Sequence, residues 1–456
     1  MATYDIEMNW LHQHFAPNTK ATIILSPSQG DPRSDPSLPG PGIHPIEIFP
    51  PWKDCKGWKV CVPRRPKQGF MTMHIKFLLL FFQDHLRLCI LTGNLNHFDW
   101  ERIENSAFIQ DFPLRKLEDD DEDPSGGKGK GKGRERSEFK TYLVRVLKSL
   151  SLPPDHAAFG YLSRCDFSKA EAKLVASWPE ATVLSGWDSI ESQGLGRLGK
   201  VVRELGIKRE KGGVSLEAQG SSLAKYDRKW LEHFHALGSG VDPRGNLPFK
   251  TENRSKTSSS EYLRCIGGSV AGVPPTSRRQ PPGDLDWPPI KILFPSQSWV
   301  ERESIEGPNG AGTFFGKTNE FRTSPYKSLF HQPVSKRGAF MIHAKSLLAF
   351  QPCASNRILN GGGARVGSHL SGPIRANPPI GWTYLGSANF TRAAHGNITG
   401  TLTHPTMSTM NWELGVVLPI YEQDGDDSKP LSAITYKRPC KRYSESDQTW
   451  DLNTLE

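Results

Sequence analysis

The chain has 456 residues, with 57 Lys and Arg against 48 Asp and Glu and a formal net charge of +9. That length suits two or three domains with sizeable cores, and 36% hydrophobic with 23% charged residues describes a folded soluble protein, not a disordered one. No apolar run approaches the ~18 residues of a membrane-spanning helix, which excludes a membrane protein of that kind. The opening MATYDIEMNWLHQHF lacks the basic and apolar regions of a secretory signal.

Thr22–Leu25 is the first predicted strand, followed by a Pro- and Ser-rich stretch, 26–46, that reads as an insert. Thr72 to Asn96 reads as two strands around a polar turn at Gln83, Asp84 and His85. The next insert, 118–136, runs EDDDED and then GGKGKGKGRER. Opposite charge blocks split by Gly are expected to be solvated, and the basic half also resembles a nuclear-import patch. Phe139, Tyr142, Leu143, Val146, Leu147 and Leu150 follow helical spacing, as do Leu195, Leu198, Val201, Val202 and Leu205. A third insert, 250–286, precedes a strand at Ile290–Phe294. Ala339–Phe350 then reads as a strand whose partner is Gly381–Leu385, across a Gly- and Asn-rich loop at 351–380.

Strands and helices mix in both halves, which predicts an α/β protein made by duplication of one domain. The boundary falls near residue 210, giving units 1–208 and 209–456. The seven Cys show no CxxC spacing, so neither a zinc site nor a disulfide framework is expected, and a reducing compartment fits.

The chemistry sits in two tripeptides, His74-Ile75-Lys76 and His343-Ala344-Lys345. One such tripeptide is weak evidence. Each, however, lies in a predicted strand, where positions i and i+2 share a face, so each His stands beside its Lys. With the first hairpin turning between Asp84 and His85, Lys76 lies opposite Gly93 and His74 opposite Leu95. Asn94 follows at the mouth, and Gly386-Ser387-Ala388-Asn389 repeats the pattern of small residues leading to an Asn. Two imidazoles, two ammonium groups and two amides make a cationic, donor-rich cup that suits a phosphoryl group. One His is able to attack phosphorus while the other protonates the leaving oxygen.

These motifs resemble the phospholipase D superfamily and, within it, the tyrosyl-DNA phosphodiesterases. The Asp that other superfamily members carry after the Lys is replaced here by Phe81 and Phe350. QGFMTMHIK contains Phe70, similar to the aromatic that stacks on a DNA base in that family. Asn94-Leu95 with Asp99-Trp100, Gln219-Gly220-Ser221-Ser222 with Trp230-Leu231, Ile292 to Ser296, Ser387 to Ala394 and Asn411 to Val416 continue the match. Asn105 stands where the family often has Gln near the general-acid His. The interval from Lys345 to Asn389 exceeds that from Lys76 to Asn94, which marks 351–380 as an insertion. Asp5 to Leu11 resembles a segment that follows further strands in the family, so the chain looks N-terminally short.

The resemblance implies two α-β-α domains with mixed sheets, related by a pseudo-twofold axis, in a monomer. It implies His74 as nucleophile, His343 as proton donor and acceptor, and Lys76, Lys345, Asn94 and Asn389 on the phosphoryl oxygens. Glu413 orients His74, while Phe70, Ser221, Ser222 and Thr391 position DNA. The implied substrate is single-stranded or nicked DNA with a 3′-phosphotyrosyl peptide, the remnant of a stalled topoisomerase I, in the nucleus. No metal or cofactor is expected, since two lysines supply the positive charge. A nuclease or phospholipase of the same superfamily and a non-catalytic single-stranded DNA binder are the alternatives. The absent Asp after each Lys speaks against the first, and the presence of both His against the second.

Overall fold

The computed structural model describes residues 1–25, 40–49, 52, 55–66, 71–115, 137–207, 213–246, 287–351 and 377–452. The inserts expected at 118–136 and 250–286, residue Phe70 and the boundary at 208/209 lie outside them.

Eight strands occupy the first 113 residues: β1 (Ala2–Thr3), β2 (Thr22–Leu25), β3 (Gly42–Pro45), β4 (Lys59–Val62), β5 (Thr72–Met73), β6 (Phe77–Phe81), β7 (His85–Leu91) and β8 (Ala107–Pro113). Part of the stretch read as an insert is therefore a strand, β3. Among the described residues seven of them form one sheet in the order β3-β4-β2-β1-β6-β7-β8.

The first half also carries β9 (Lys173–Ser177) and β10 (Leu184–Ser185), and the second half carries β11 (Ser215–Gln219), β12 (Ile290–Leu293), β13 (Phe330–Gln332), β14 (Lys345–Phe350), β15 (Gly381–Gly386), β16 (Asn397–Gly400), β17 (Pro405–Ser408), β18 (Asn411–Ile420) and β19 (Lys441–Arg442). The main sheet of the second half runs β19-β13-β12-β11-β14-β15-β18 and is continued by β5. Both sheets repeat one scheme. The second, third and fourth strands are mutually parallel, and the remaining neighbours are antiparallel. Six strands in one chain order with one set of directions, found twice, are the duplication that the paired motifs predicted; the seventh, antiparallel edge strand is β3 in the first sheet and the late strand β19 in the second.

The first hairpin corrects the expected register. Phe82 N–H donates to His85 O at 2.9 Å, so Gln83 and Asp84 form the turn and Phe77 pairs with Ile90. Lys76 then faces Leu91, whose N–H donates to Lys76 O at 3.1 Å, and not Gly93. In the second copy Lys345 pairs with Gly386. In both copies the residue facing the lysine stands three before the asparagine.

A second correction concerns the strands of the two tripeptides. His74 precedes β6, and His343 precedes β14, so neither His shares a regular strand with its Lys. Each histidine sits in a connecting segment held by the other half. β5 lies parallel to β18, with Thr72 opposite Asn411 and Met73 opposite Trp412. Glu104 bridges in parallel to Ile342.

The halves also share cores. β9 pairs antiparallel with β18, from Glu413↔Ser177 to Val417↔Lys173. The helix Glu138–Ser149 buries Phe139, Tyr142, Leu143, Val146 and Leu147 in one cluster with Phe77, Leu88 and Ile90 of the first sheet and Trp412, Leu414 and Val416 of β18. The helix Gly194–Glu204 buries Leu195, Leu198, Val201 and Val202 beside Leu231, Phe234 and Trp382. The apolar periodicity of both helices is thus accounted for by burial on one face. Near the site, β15 and β18 approach through a Gly386–Gly415 pair. A Cβ on Gly415 would lie 2.2 Å from the Tyr384 ring, so only glycine fits.

Candidate active site

Both tripeptides are brought together. His74 experiences the charges of both Lys76 and Lys345, and His343 does likewise. Lys345 Nζ donates across the halves to Thr92 O at 3.3 Å. Both lysines are fully buried at 0% exposure, whereas the His74 side chain keeps 15%, so the nucleophile candidate is the one the solvent reaches.

His74 is fixed at two atoms. Its backbone N–H donates to Trp412 O at 3.0 Å, and its Nδ1 lies 3.1 Å from Glu413 Oε2. Ser387 Oγ donates to the same carboxylate oxygen at 2.6 Å, and Asn411 Nδ2 to the other at 2.9 Å. Burial would raise the Glu413 pKa, but His74, Lys76 and the Ser387 hydroxyl together hold it low. An ionised Glu413 only accepts, so His74 Nδ1 carries the proton and Nε2 presents its lone pair. Burial and the Lys76 charge lower the His74 pKa, which keeps the ring neutral and nucleophilic near pH 7.

His343 is fixed in the reciprocal way. Its N–H donates to Glu104 O at 2.9 Å, and its Nδ1 lies 3.2 Å from Asp99 Oδ2, close enough for electrostatic contact but off the hydrogen-bond line. Lys345 Nζ stands 2.8 Å from His343 Nε2. An ammonium only donates, so Nε2 accepts and the resting ring is neutral. Burial and the Lys345 charge push the His343 pKa down to about 4, against the raising effect of Asp99. Burial also lowers Lys76, to about 8, and Lys345 well below the ordinary lysine value.

The two asparagines are aimed by their oxygens. Asn389 Oδ1 accepts from Ser221 N at 2.8 Å and Ser222 N at 3.2 Å. Asn94 Oδ1 accepts from Asp5 N at 3.3 Å, and its Nδ2 donates to Asp99 Oδ2 at 3.0 Å. Ser221 and Ser222 follow β11 as Asp5 follows β1, so both halves use the same device. It leaves amide N–H groups as the donors each Asn offers to a ligand.

Some of the expected residues are engaged in the scaffold. The Thr391 hydroxyl accepts from Ala394 N at 3.2 Å and caps the helix Arg392–His395. The Asn105 side chain bonds within the first half. Its Nδ2 donates to Asp99 O at 2.8 Å, and its Oδ1 accepts from Thr92 Oγ1 at 2.9 Å.

Sequence reasoning gave no role to Asp99, Ser387, Asn411 or Tyr4. The Tyr4 ring centroid lies 5.6 Å from that of His74 and 5.7 Å from Lys76 Nζ. Asp99 was visible only as part of an Asp-Trp pair, with no signal that its carboxylate meets an imidazole from the other half.

The family model for tyrosyl-DNA phosphodiesterase matches residues 1–449. The chain belongs to the tyrosyl-DNA phosphodiesterase family. It is 30% identical over 198 residues to tyrosyl-DNA phosphodiesterase 1 of Arabidopsis thaliana, a match spanning 40% of this chain and 30% of that protein's length. The crystal structure of yeast tyrosyl-DNA phosphodiesterase superposes with a TM-score of 0.58 at 15% identity, covering 99% of this chain and 92% of that one. A histidine-to-arginine mutant of the yeast protein gives 0.62, also at 15% identity and with the same coverage. The fold is therefore that of the yeast tyrosyl-DNA phosphodiesterase structures, two mixed α/β units.

Proposed function

We propose that this protein hydrolyses the phosphodiester between a DNA 3′ phosphate and a tyrosine, and related 3′ blocking groups, through a phosphohistidine. The observation that carries the reading is the reciprocal pair: a partly exposed and a buried imidazole, His74 and His343, each backed by a carboxylate from the opposite half, over two buried lysines.

In the first step His74 Nε2 gives its lone pair to phosphorus, and the bond from phosphorus to the tyrosine oxygen breaks. His343 Nε2 hands a proton to the departing phenolate. The entering phosphodiester anion draws Lys76 and Lys345 onto its oxygens, which frees His343 Nε2, and its charge favours protonation of that nitrogen. Asn94 and Asn389 donate to the same oxygens as charge builds on them. In the second step water attacks phosphorus, His343 takes its proton, and the phosphorus–nitrogen electron pair returns to His74. The product is DNA with a 3′ phosphate.

Phe70 stacks on a base, and Ser221, Ser222 and Thr391 contact the phosphates of a single-stranded or nicked substrate. The physiological substrate is the remnant of a stalled topoisomerase I, and the protein acts as a monomer in the nucleus. Catalysis draws its positive charge from the lysines. The test is cleavage of a 3′-phosphotyrosyl oligonucleotide in millimolar EDTA, read on a sequencing gel. Retention of full activity is expected, and complete loss restored by magnesium or zinc would overturn the mechanism.

A further inference from the structure

Each histidine donates its backbone N–H to a carbonyl of the other half, and the residue bearing that carbonyl is itself anchored in the half whose histidine it holds. Glu104, from the first half, accepts from His343 N at 2.9 Å and Ala344 N at 3.1 Å and donates to Met341 O at 2.7 Å. Its side chain is 9% exposed and reaches further into the second half, where Ser335 Oγ donates to Oε2 at 2.9 Å and Arg337 Nη1 lies 3.6 Å away. Trp412, from the second half, accepts from His74 N at 3.0 Å. Its indole Nε1 donates to Ser149 O of the first half at 3.1 Å, and its ring is buried in the core built around Leu143, Val146 and Leu147.

We infer that Glu104 and Trp412 are positioning residues, forming a crossed clasp in which Glu104 sets the place of His343 and Trp412 that of His74. Neither touches the reacting atoms. The inference rests on the proposed function, because it assigns the two steps of that reaction to different sides of the clasp. Neither histidine lies in a regular strand, so neither inherits its position from a sheet ladder of its own half. The cross-half bonds supply that position. A buried carboxylate spanning the interface is costly unless paired, and Glu104 meets that need with Ser335 and Arg337 while its main chain fixes the histidine. A displacement of ~1 Å in an acid–base group lowers a rate by up to about 100-fold.

The two steps respond differently. Adduct formation from a 3′-(4-nitrophenyl) phosphate oligonucleotide needs little help from His343, because nitrophenolate departs without a proton. Adduct hydrolysis needs His343 as base. Both rates are measured in single turnover on the same sample, so their ratio is independent of any inactive fraction. Glu104→Ala should slow adduct hydrolysis by about 10-fold or more and change formation by about 3-fold or less. The protein should then accumulate as a DNA adduct on a denaturing gel. Glu104→Gln keeps an acceptor for Ser335 and should restore much of the hydrolysis rate. Trp412→Phe should show the opposite bias, with formation slowed more than hydrolysis. Equal slowing of both steps in Glu104→Ala, or no change in either, would overturn the clasp. If Glu104→Ala fails to accumulate adduct while His343→Asn does, the clasp alone falls. If no variant forms an adduct, the covalent reading falls and takes the clasp with it.

Discussion

His74 and Glu413 stand 339 residues apart in the chain and 3.1 Å apart in the fold. The proposed nucleophile and the carboxylate facing its Nδ1 thus come from opposite halves. His343 and Asp99 repeat the relationship in the other direction at 3.2 Å. The site is complete only when the halves are docked, so loosening the interface should disturb both histidines.

The two histidines should fail differently. His74→Ala removes the only route to a covalent adduct and should stop both steps. His343→Asn should still attach to DNA when the leaving group has a low pKa, but water then lacks its base. A slow-migrating DNA–protein band on a denaturing gel, acid-labile and absent from His74→Ala, is the expected outcome. An adduct in the His74 variant alone would reverse the assignment.

The lysines tie activity and stability to pH in opposite senses. Lys76 titrates at about 8 in the folded protein against 10.5 for an ordinary lysine, chiefly because burial disfavours its charge. Below pH 8 both folded and unfolded states hold the proton, and the folded state bears the full cost, about 3 kcal/mol. Between about 8 and 10.5 the folded state releases it first, and above that window the cost is gone. Lys76→Met should therefore melt higher than the wild type at pH 7, with the advantage shrinking as pH rises through this window, and should be inactive. Wild-type kcat/KM should decline as pH climbs through about 8, because a neutral lysine no longer holds the phosphate. Calorimetry and a pH–rate profile check both halves of the expectation. A Lys76→Met protein that melts lower would refute the first.

Asp99, and not Asn105, should govern the second step. Burial opposes ionisation of Asp99, but His343 and the Asn94 N–H outweigh it and hold the carboxyl low. Asp99→Asn removes the charge facing His343 Nδ1 and should slow adduct hydrolysis by about 100-fold or more, the scale seen when an imidazole loses its orienting carboxylate. Asn105→Ala, which leaves that contact in place, should cost less. Single-turnover rates compare them directly, and a larger loss in Asn105→Ala would sink the assignment.

Gly415→Ala is a test of the packing beneath the site. The added Cβ would meet Tyr384 Cε2 at 2.2 Å, and the ring is boxed in by the β15–β18 pairing. Overpacking of this kind destabilises by about 1–3 kcal/mol. A denaturant titration at neutral pH should show the midpoint falling with the slope unchanged. An unaltered midpoint would mean that Tyr384 has room to move.

What the amino-acid order settles alone is local and repeated. Phe139 to Leu150 and Leu195 to Leu205 show their helices by apolar spacing, because burial of one face needs a 3.6-residue period. The two HxK tripeptides with their trailing Asn94 and Asn389 show the duplication and the donor set, because the same chemistry had to be written twice. Glu413 is legible only through family likeness, not through any pattern of its own. Sequence pattern sets the register of the first hairpin two residues off, since the turn Phe82–His85 is chosen by main-chain hydrogen bonding that composition does not display. Only the tertiary structure decides that β5 leaves the first sheet to lie along β18, that β9 joins the second, and that Asp99 and Glu104 reach across to His343. Those choices depend on which sheet edges meet when two similar units dock. Edge pairing is long-range and carries no periodic trace along the chain.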